Sequence, residues 1–294
     1  MPIPNLRYFN GQVRNRRRHK QSIPHRLLKL EALENRRLLA ADPSSWVAPI
    51  DREVLVAAVD NGDIYSTRST AGPSGQDLAV SKWSTDGNNA WEVTFPATGS
   101  TSVNQVVTDS SAIYVVGGFS EQLDFGGAVG VIESSDNSDG FVAKLDLNGT
   151  PLWASTFNAS INAVAIQESD LYLAGAFSGN ATFGQTALSA KKRDGVDGVV
   201  LRLDAASAAV EWVAHNPGRG RVSHNSIAAV ETASGDVNVY ITGVRVGTNE
   251  FGSSTVSGED DRLYLTKLRD NGSEGQFIWV TQFGGMSLGA AVSG

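Results

Sequence analysis

Few residues of this 294-residue chain could do chemistry, and none falls into a reactive pattern. There is no cysteine, so disulfides, thiolate metal sites and cysteine catalysis are excluded. Only four histidines occur: His19 and His25 lie in a basic N-terminal stretch, and His215 and His224 flank residues 216–223. Hydrolytic or metal chemistry would need a histidine pair at helical spacing, as in HExxH, or a GxSxG nucleophile elbow, and neither is present. His215 and His224 therefore read as exposed loop histidines. Glycine-rich phosphate loops of the Walker or dinucleotide type are also missing. Three Asp-rich turns, Asp136–Gly140, Asp194–Gly198 and Glu259–Asp261, could cluster oxygens for calcium. None has the D-x-D-x-D-G spacing of a calcium loop, so they read as turns leading into strands. No catalytic residue, metal or cofactor is expected.

Charge is divided unevenly along the chain. The net charge of −7 conceals a tail, residues 1–40, with ten Lys/Arg against Glu31 and Glu34, and a remainder with 14 basic and 29 acidic groups. An acidic body repels phosphate backbones, so only the tail could bind nucleic acid. In the tail, Leu27, Leu28, Leu30, Leu33, Leu38 and Leu39 are interrupted by Lys29, Glu31, Glu34, Arg36 and Arg37. That spacing predicts a short amphipathic helix; an export signal would carry an uninterrupted apolar core. No apolar run reaches the roughly 18 residues of a membrane-spanning helix.

The elements that must position any site are set by a repeat. Trp91, Trp153, Trp212 and Trp279 recur about sixty residues apart, each in the same local phrase, such as Asp139–Phe157, DGFVAKLDLNGTPLWASTF. In register, each unit offers four short apolar runs separated by turn residues, which predicts four strands. The units span 54–95, 104–157, 161–214 and 226–283, and 287–294 aligns with the first strand of a fifth. Asp86-Gly87, Asn148-Gly149 and Asn271-Gly272 mark hairpin turns between the third and fourth strands, whereas Ala205–Ala208 stands there in the third unit. Phe125-Gly126, Phe183-Gly184 and Phe251-Gly252 open longer loops between the second and third strands, where binding functions are most readily built. The recurring Trp, and a Tyr in each second strand (Tyr65, Tyr114, Tyr172, Tyr240), are expected to pack one unit against the next.

Two stretches resemble known families. Leu33-Glu34-Asn35-Arg36-Arg37-Leu38-Leu39 resembles the LEPR-XLL motif of large surface or exported proteins of planctomycetal bacteria. Leu33, Glu34, Arg36, Leu38 and Leu39 match, and Asn35 stands where that motif has proline. From about residue 54 onward the chain resembles the SBBP-type β-propeller repeats of bacterial exported proteins. Tyr114-Val115-Val116-Gly117, Asp139–Asp146 and Trp153 carry that likeness. It implies a propeller of four-stranded blades and fixes no catalytic residue.

The expectation is an all-β chain with a basic tail, residues 1–45, and β-propeller repeats over 46–294. Four blades and the start of a fifth are expected to be an incomplete ring, so further blades or a partner would cover an open edge. The expected function is a non-enzymatic, exported or cell-surface scaffold that binds protein or glycan at its loops. The alternative is a quinone-dependent or hydrolytic propeller enzyme whose catalytic groups lie in further blades. A third reading is a cytoplasmic protein whose arginine tail binds nucleic acid.

Overall fold

The computed structural model describes residues 56–135, 137–191 and 195–284, all within the unit Trp46–Gly294. The motif Leu33, Glu34, Arg36, Leu38 and Leu39, the helix expected around it, the fifth-unit strand at 287–294, Asp136 and Asp194 lie outside the described residues. The described residues form an all-β structure, with no helix among them and hence none to cross a membrane.

The strands form four consecutive antiparallel groups of four, the last two bridged into one eight-stranded sheet, with three small two-stranded hairpins between strands. The first sheet is β1 (Val56–Asp60), β2 (Asp63–Ala71), β3 (Gln76–Trp83) and β4 (Asn89–Phe95). The second starts with β5 (Thr101–Thr108) and β6 (Ala112–Phe119). A small hairpin, β7 (Gln122–Asp124) and β8 (Val131–Glu133), precedes its last strands, β9 (Asp139–Asp146) and β10 (Pro151–Phe157). The third follows the same order: β11 (Ser160–Gln167), β12 (Asp170–Ser178), hairpin β13 (Asn180–Phe183) and β14 (Thr186–Ser189), β15 (Val196–Asp204), β16 (Val210–Asn216). The fourth is β17 (Arg221–Glu231), β18 (Val237–Val246), hairpin β19 (Asn249–Phe251) and β20 (Ser254–Val256), β21 (Arg262–Asp270), β22 (Gly275–Phe283). A single parallel bridge, Val196 to Arg221, joins the third sheet to the fourth.

Local chemistry explains these boundaries. In β6 the run AIYVVGGF is buried almost throughout because both sheet faces are covered, whereas the outer strand β10 is mostly half-buried and shows Leu152 to solvent. At the third-to-fourth turns of the first, second and fourth sheets the glycines, Gly87, Gly149 and Gly272, take positive φ. Gly149 N donates to Asp146 O and Asp146 N to Thr150 O, a three-residue loop closed by a left-handed glycine. In the third sheet the loop is one residue longer: Ala208 N donates to Asp204 O, and Ala208 itself takes φ 61°. The segments read as plain loops after the second strands hold the small hairpins. Phe125, Phe183 and Phe251 pin these down, each nearly fully buried.

Three apolar seams hold the sheets together. One joins Tyr65, Leu78, Val80 and Phe95 of the first sheet to Val103, Ile113, Val115, Phe119 and Phe141 of the second. The next joins Tyr114, Val116, Val142 and Phe157 to Ile161, Leu171, Leu173, Phe177 and Leu201 of the third. The last joins Tyr172, Val200 and Trp212 to Ile227, Val239, Ile241 and Leu268 of the fourth. First strands also touch directly. The bulge residue Asn104 donates through Nδ2 to Ile161 O at 2.7 Å, and its counterpart Asn162 donates to His224 O at 2.8 Å.

Candidate functional site

The recurring aromatics are structural. Cross-strand register sets Tyr65, Lys82 and Trp91 side by side, and likewise Tyr114, Lys144 and Trp153, Tyr172, Arg202 and Trp212, and Tyr240, Lys267 and Trp279. The Tyr and Trp ring centroids lie 6.1–6.5 Å apart at 51–56° in all four sheets. A lysine ammonium sits 5.3–5.9 Å above the tyrosine ring in three of them, a cation–π contact. A bulge precedes each Trp in the fourth strand and re-aims its ring towards the following sheet. There Trp91 packs on Gly149 and Trp212 on Gly275, positions where a Cβ would lie 2.9 and 2.6 Å from the indole.

In the third sheet Arg202 replaces the lysine and forms ion pairs with three carboxylates. It pairs with Asp170 at 2.7 Å, Glu211 at 2.8 Å and Asp270 at 3.1 Å. Asp270 also accepts from Tyr172 OH at 2.7 Å, Trp212 Nε1 at 3.1 Å and Gly272 N at 2.8 Å. Desolvation of the Tyr172 hydroxyl, and its bond to Asp270, raise its pKa. This cluster clamps two sheets together.

The opposite end of the same seam, beside hairpin β19–β20, differs in kind. Positions apolar in the first two seams are polar here. Across from the second-strand glycines Gly117, Gly175 and Gly243 stand Val103, Ile161 and then His224. Two residues beyond those glycines come Phe119, Phe177 and then Arg245. The last fourth-strand residue facing the next sheet is Phe95, Phe157 and then Asn216. Two residues before the hairpin phenylalanine come Leu123, Ala181 and then Asn249. Asn216, His224, Arg245 and Asn249 are each 0% exposed.

These side chains are only partly satisfied. His224 Nδ1 meets the Tyr264 hydroxyl, which donates to Ser223 O at 3.3 Å. His224 Nε2 has no partner and lies against Gly198, where a Cβ would come within 2.6 Å. Asn216 Nδ2 donates to Glu250 O at 3.0 Å while its Oδ1 has no protein partner. Arg245 Nη1 donates to Gly247 O, but Nε and Nη2 find no acceptor. Both side-chain polar atoms of Asn249, and Asp197 Oδ1, are likewise unpaired. A buried polar atom without a partner costs about 1–3 kcal/mol. A run of them at one end of one seam marks a place built for more than packing.

Burial shifts the ionisable groups here in one direction, toward neutrality. It drives the His224 imidazole down to about 3 and the Tyr264 hydroxyl well above its ordinary value. Burial, and the neighbouring Arg262, also lower the Arg245 guanidinium. Burial raises the Asp197 carboxyl. The result is a buried polar cluster with unpaired atoms on Arg245, Asn249, His224, Asn216 and Asp197.

Sequence reasoning read His215 and His224 as loop residues. The structure puts His215 in β16, half-buried against Phe177, and His224 in β17, fully buried. The turn aspartates are strand-entry staples. Asp139 accepts from Ser135 N and Oγ at 2.8 and 2.9 Å, Asp197 from Lys191 N at 3.2 Å, and Asp77 from Ala97 N at 2.9 Å. Among the described residues no three His, Cys, Asp or Glu side chains converge as for a metal. Sequence reasoning missed Asn216, Arg245 and Asn249, although the aligned units carry the signal, a polar residue in a column of apolar ones. No protein-family model matches the chain, and no curated protein matches it.

Proposed function

We propose that the chain is a non-enzymatic, exported or cell-surface β-propeller protein that binds a protein or glycan at the hairpin end of its sheets. The observation that carries this reading is the contrast between the two ends. The Tyr–Lys/Arg–Trp end is kept the same in all four sheets, while the hairpin end changes from seam to seam and turns polar between the third and fourth. Constancy serves packing and variation serves recognition. Four consecutive four-stranded sheets stacked face to face support a propeller of such blades. The motif at Leu33–Leu39 and the basic tail support export.

A further sheet completes the arrangement on this reading. Tyr65, Tyr114 and Tyr172 are at most 1% exposed because the next sheet covers them, while Tyr240 and Trp279 of the fourth sheet are only partly buried. On the same face Val230 and Phe283 are 41% and 48% exposed. Asn225, at the bulge position of Asn104 and Asn162, is exposed and correctly placed to grip another first strand. The fourth sheet thus presents the surface that each earlier sheet uses to receive its neighbour.

A glycan array and a cross-linking pull-down from the producing cell's surface, each run against the protein and a variant with 249–256 replaced by the 181–188 hairpin, test the reading. Binding lost on exchanging the hairpin supports it. Turnover of ester or glycoside substrates, or stoichiometric quinone binding, overturns it in favour of an enzyme.

A further inference from the structure

We infer that the hairpin end of the fourth sheet is an oxyanion-binding site anchored on Arg245, taking a carboxylate, sulfate or phosphate group. The inference does not depend on the sheets closing into a propeller. Arg245 occupies the position of two buried phenylalanines, Phe119 and Phe177, and is itself 0% exposed, with Nε and Nη2 unpaired. Its cross-strand partner reverses in charge as well. Phe119 faces Asp139 and Phe177 faces Asp197, but Arg245 faces Arg262. Like charges opposed across a strand pair repel, and a guanidinium does not give up its proton to relieve this. The two guanidinium groups converge on one glycine. A Cβ on Gly258 would lie 2.8 Å from Arg245 Nη2 and 3.5 Å from Arg262 Nε.

Arg245 lines a cleft of about 150 Å³ with Arg221, Val222, Val196 and Asp261. The cleft is large enough for a tetrahedral or planar oxyanion. Two acidic neighbours compete weakly. Asp260 lies 3.9 Å from Arg262 and is 87% exposed, and Asp261 is exposed at the cleft rim. Neither reaches the bare nitrogens of Arg245. A planar guanidinium with two free donors matches an oxyanion in two-point fashion, with Arg221 in the cleft and Arg262 across the strand pair supplying further positive field.

The test uses the full chain, with inorganic sulfate and phosphate as first probes. Calorimetry and melting curves would be taken in sulfate or phosphate against chloride at matched ionic strength. The expected result is saturable binding and a melting temperature that climbs with the logarithm of anion concentration. Arg245→Phe, which restores the residue of the second and third sheets, should melt higher in chloride and keep only the shallow, non-saturating rise that sulfate gives any protein. Arg262→Ala, at a half-exposed position, should weaken binding at least tenfold and reads out even if Arg245→Phe fails to fold. A sulfated oligosaccharide and its desulfated form then identify the source. Discrimination between them at far lower concentration than free sulfate assigns the anion to a polymer, while equal affinities with the free ion assign it to a small solute. The inference is overturned if the parent protein shows no saturable anion effect or if Arg245→Phe binds as well. A large destabilisation by Asp261→Ala with no anion effect would also overturn it, because Asp261 would then be the internal counter-ion.

Discussion

His224 should make this protein lose stability as the medium is acidified through the ordinary histidine range. Its imidazole is buried as the neutral form, with the folded value driven to about 3 from an ordinary 6.5. Above pH 6.5 folded and unfolded chains carry the same uncharged ring, so its full contribution is present. Between 6.5 and about 3 only the unfolded chain takes up the proton, so stability falls as pH falls, by about 1.4 kcal/mol per pH unit. At pH 5 the loss from this residue is about 2 kcal/mol. The comparison protein is His224→Val, the residue at the same place in the second sheet, where Val103 packs apolar. Tyr264 keeps its bond to Ser223 O in that variant. Urea unfolding at pH 7 and pH 5 gives each protein's own loss. Asp197, which gains on acidification because burial raises its carboxyl, is common to both and cancels. The parent should lose about 2 kcal/mol more than His224→Val between the two pH values. Equal losses would mean the ring is hydrated or charged when folded, and the buried polar cluster would not exist as described.

The seams give four more expectations. Trp212→Ala removes a 6%-exposed indole packed on Gly275 and bonded to Asp270, and should cost about 3–5 kcal/mol by chemical denaturation. Gly149→Val combines a φ of 86° with a Cβ 2.9 Å from the Trp91 ring, so it should destabilise by at least about 2 kcal/mol and quench or shift Trp91 fluorescence. Asn162→Ala breaks the Nδ2 bond to His224 O and should cost about 1 kcal/mol in a urea melt. Asn225→Ala, exposed at the matching bulge, should be near neutral until a further sheet or a partner is bound.

The strand plan was legible because it is written in short-range signals. The unit ends read from the sequence at 95, 157 and 283 coincide with the last residues of β4, β10 and β22, and the end at 214 falls two residues short of the end of β16. A turn glycine, an alternating pattern and a Trp at fixed distance are enough to bound a strand. The small hairpins were less visible. Gln122–Asp124 and Ser254–Val256 are three residues each, too short to show a period. They hold because Phe125 and Phe251 drop into the seams. β17 begins five residues earlier than the apolar pattern suggests, since Arg221–Asn225 is polar by composition but anchored by pairing with β18.

By itself the sequence determined the all-β character, the four-strand units and the structural place of Tyr and Trp. All of these follow from patterns within a few residues of each other. Only the tertiary structure decided that His224, Arg245, Asn216 and Asn249 share one end of one seam. They come from four successive strands, β16 through β19, and each has other polar residues beside it in its own strand, so none stands out in the sequence. Their meaning depends on burial, and burial is set by which sheet faces which. A polar side chain costs little in water and much in a dry seam, and that difference turns four scattered residues into a candidate site.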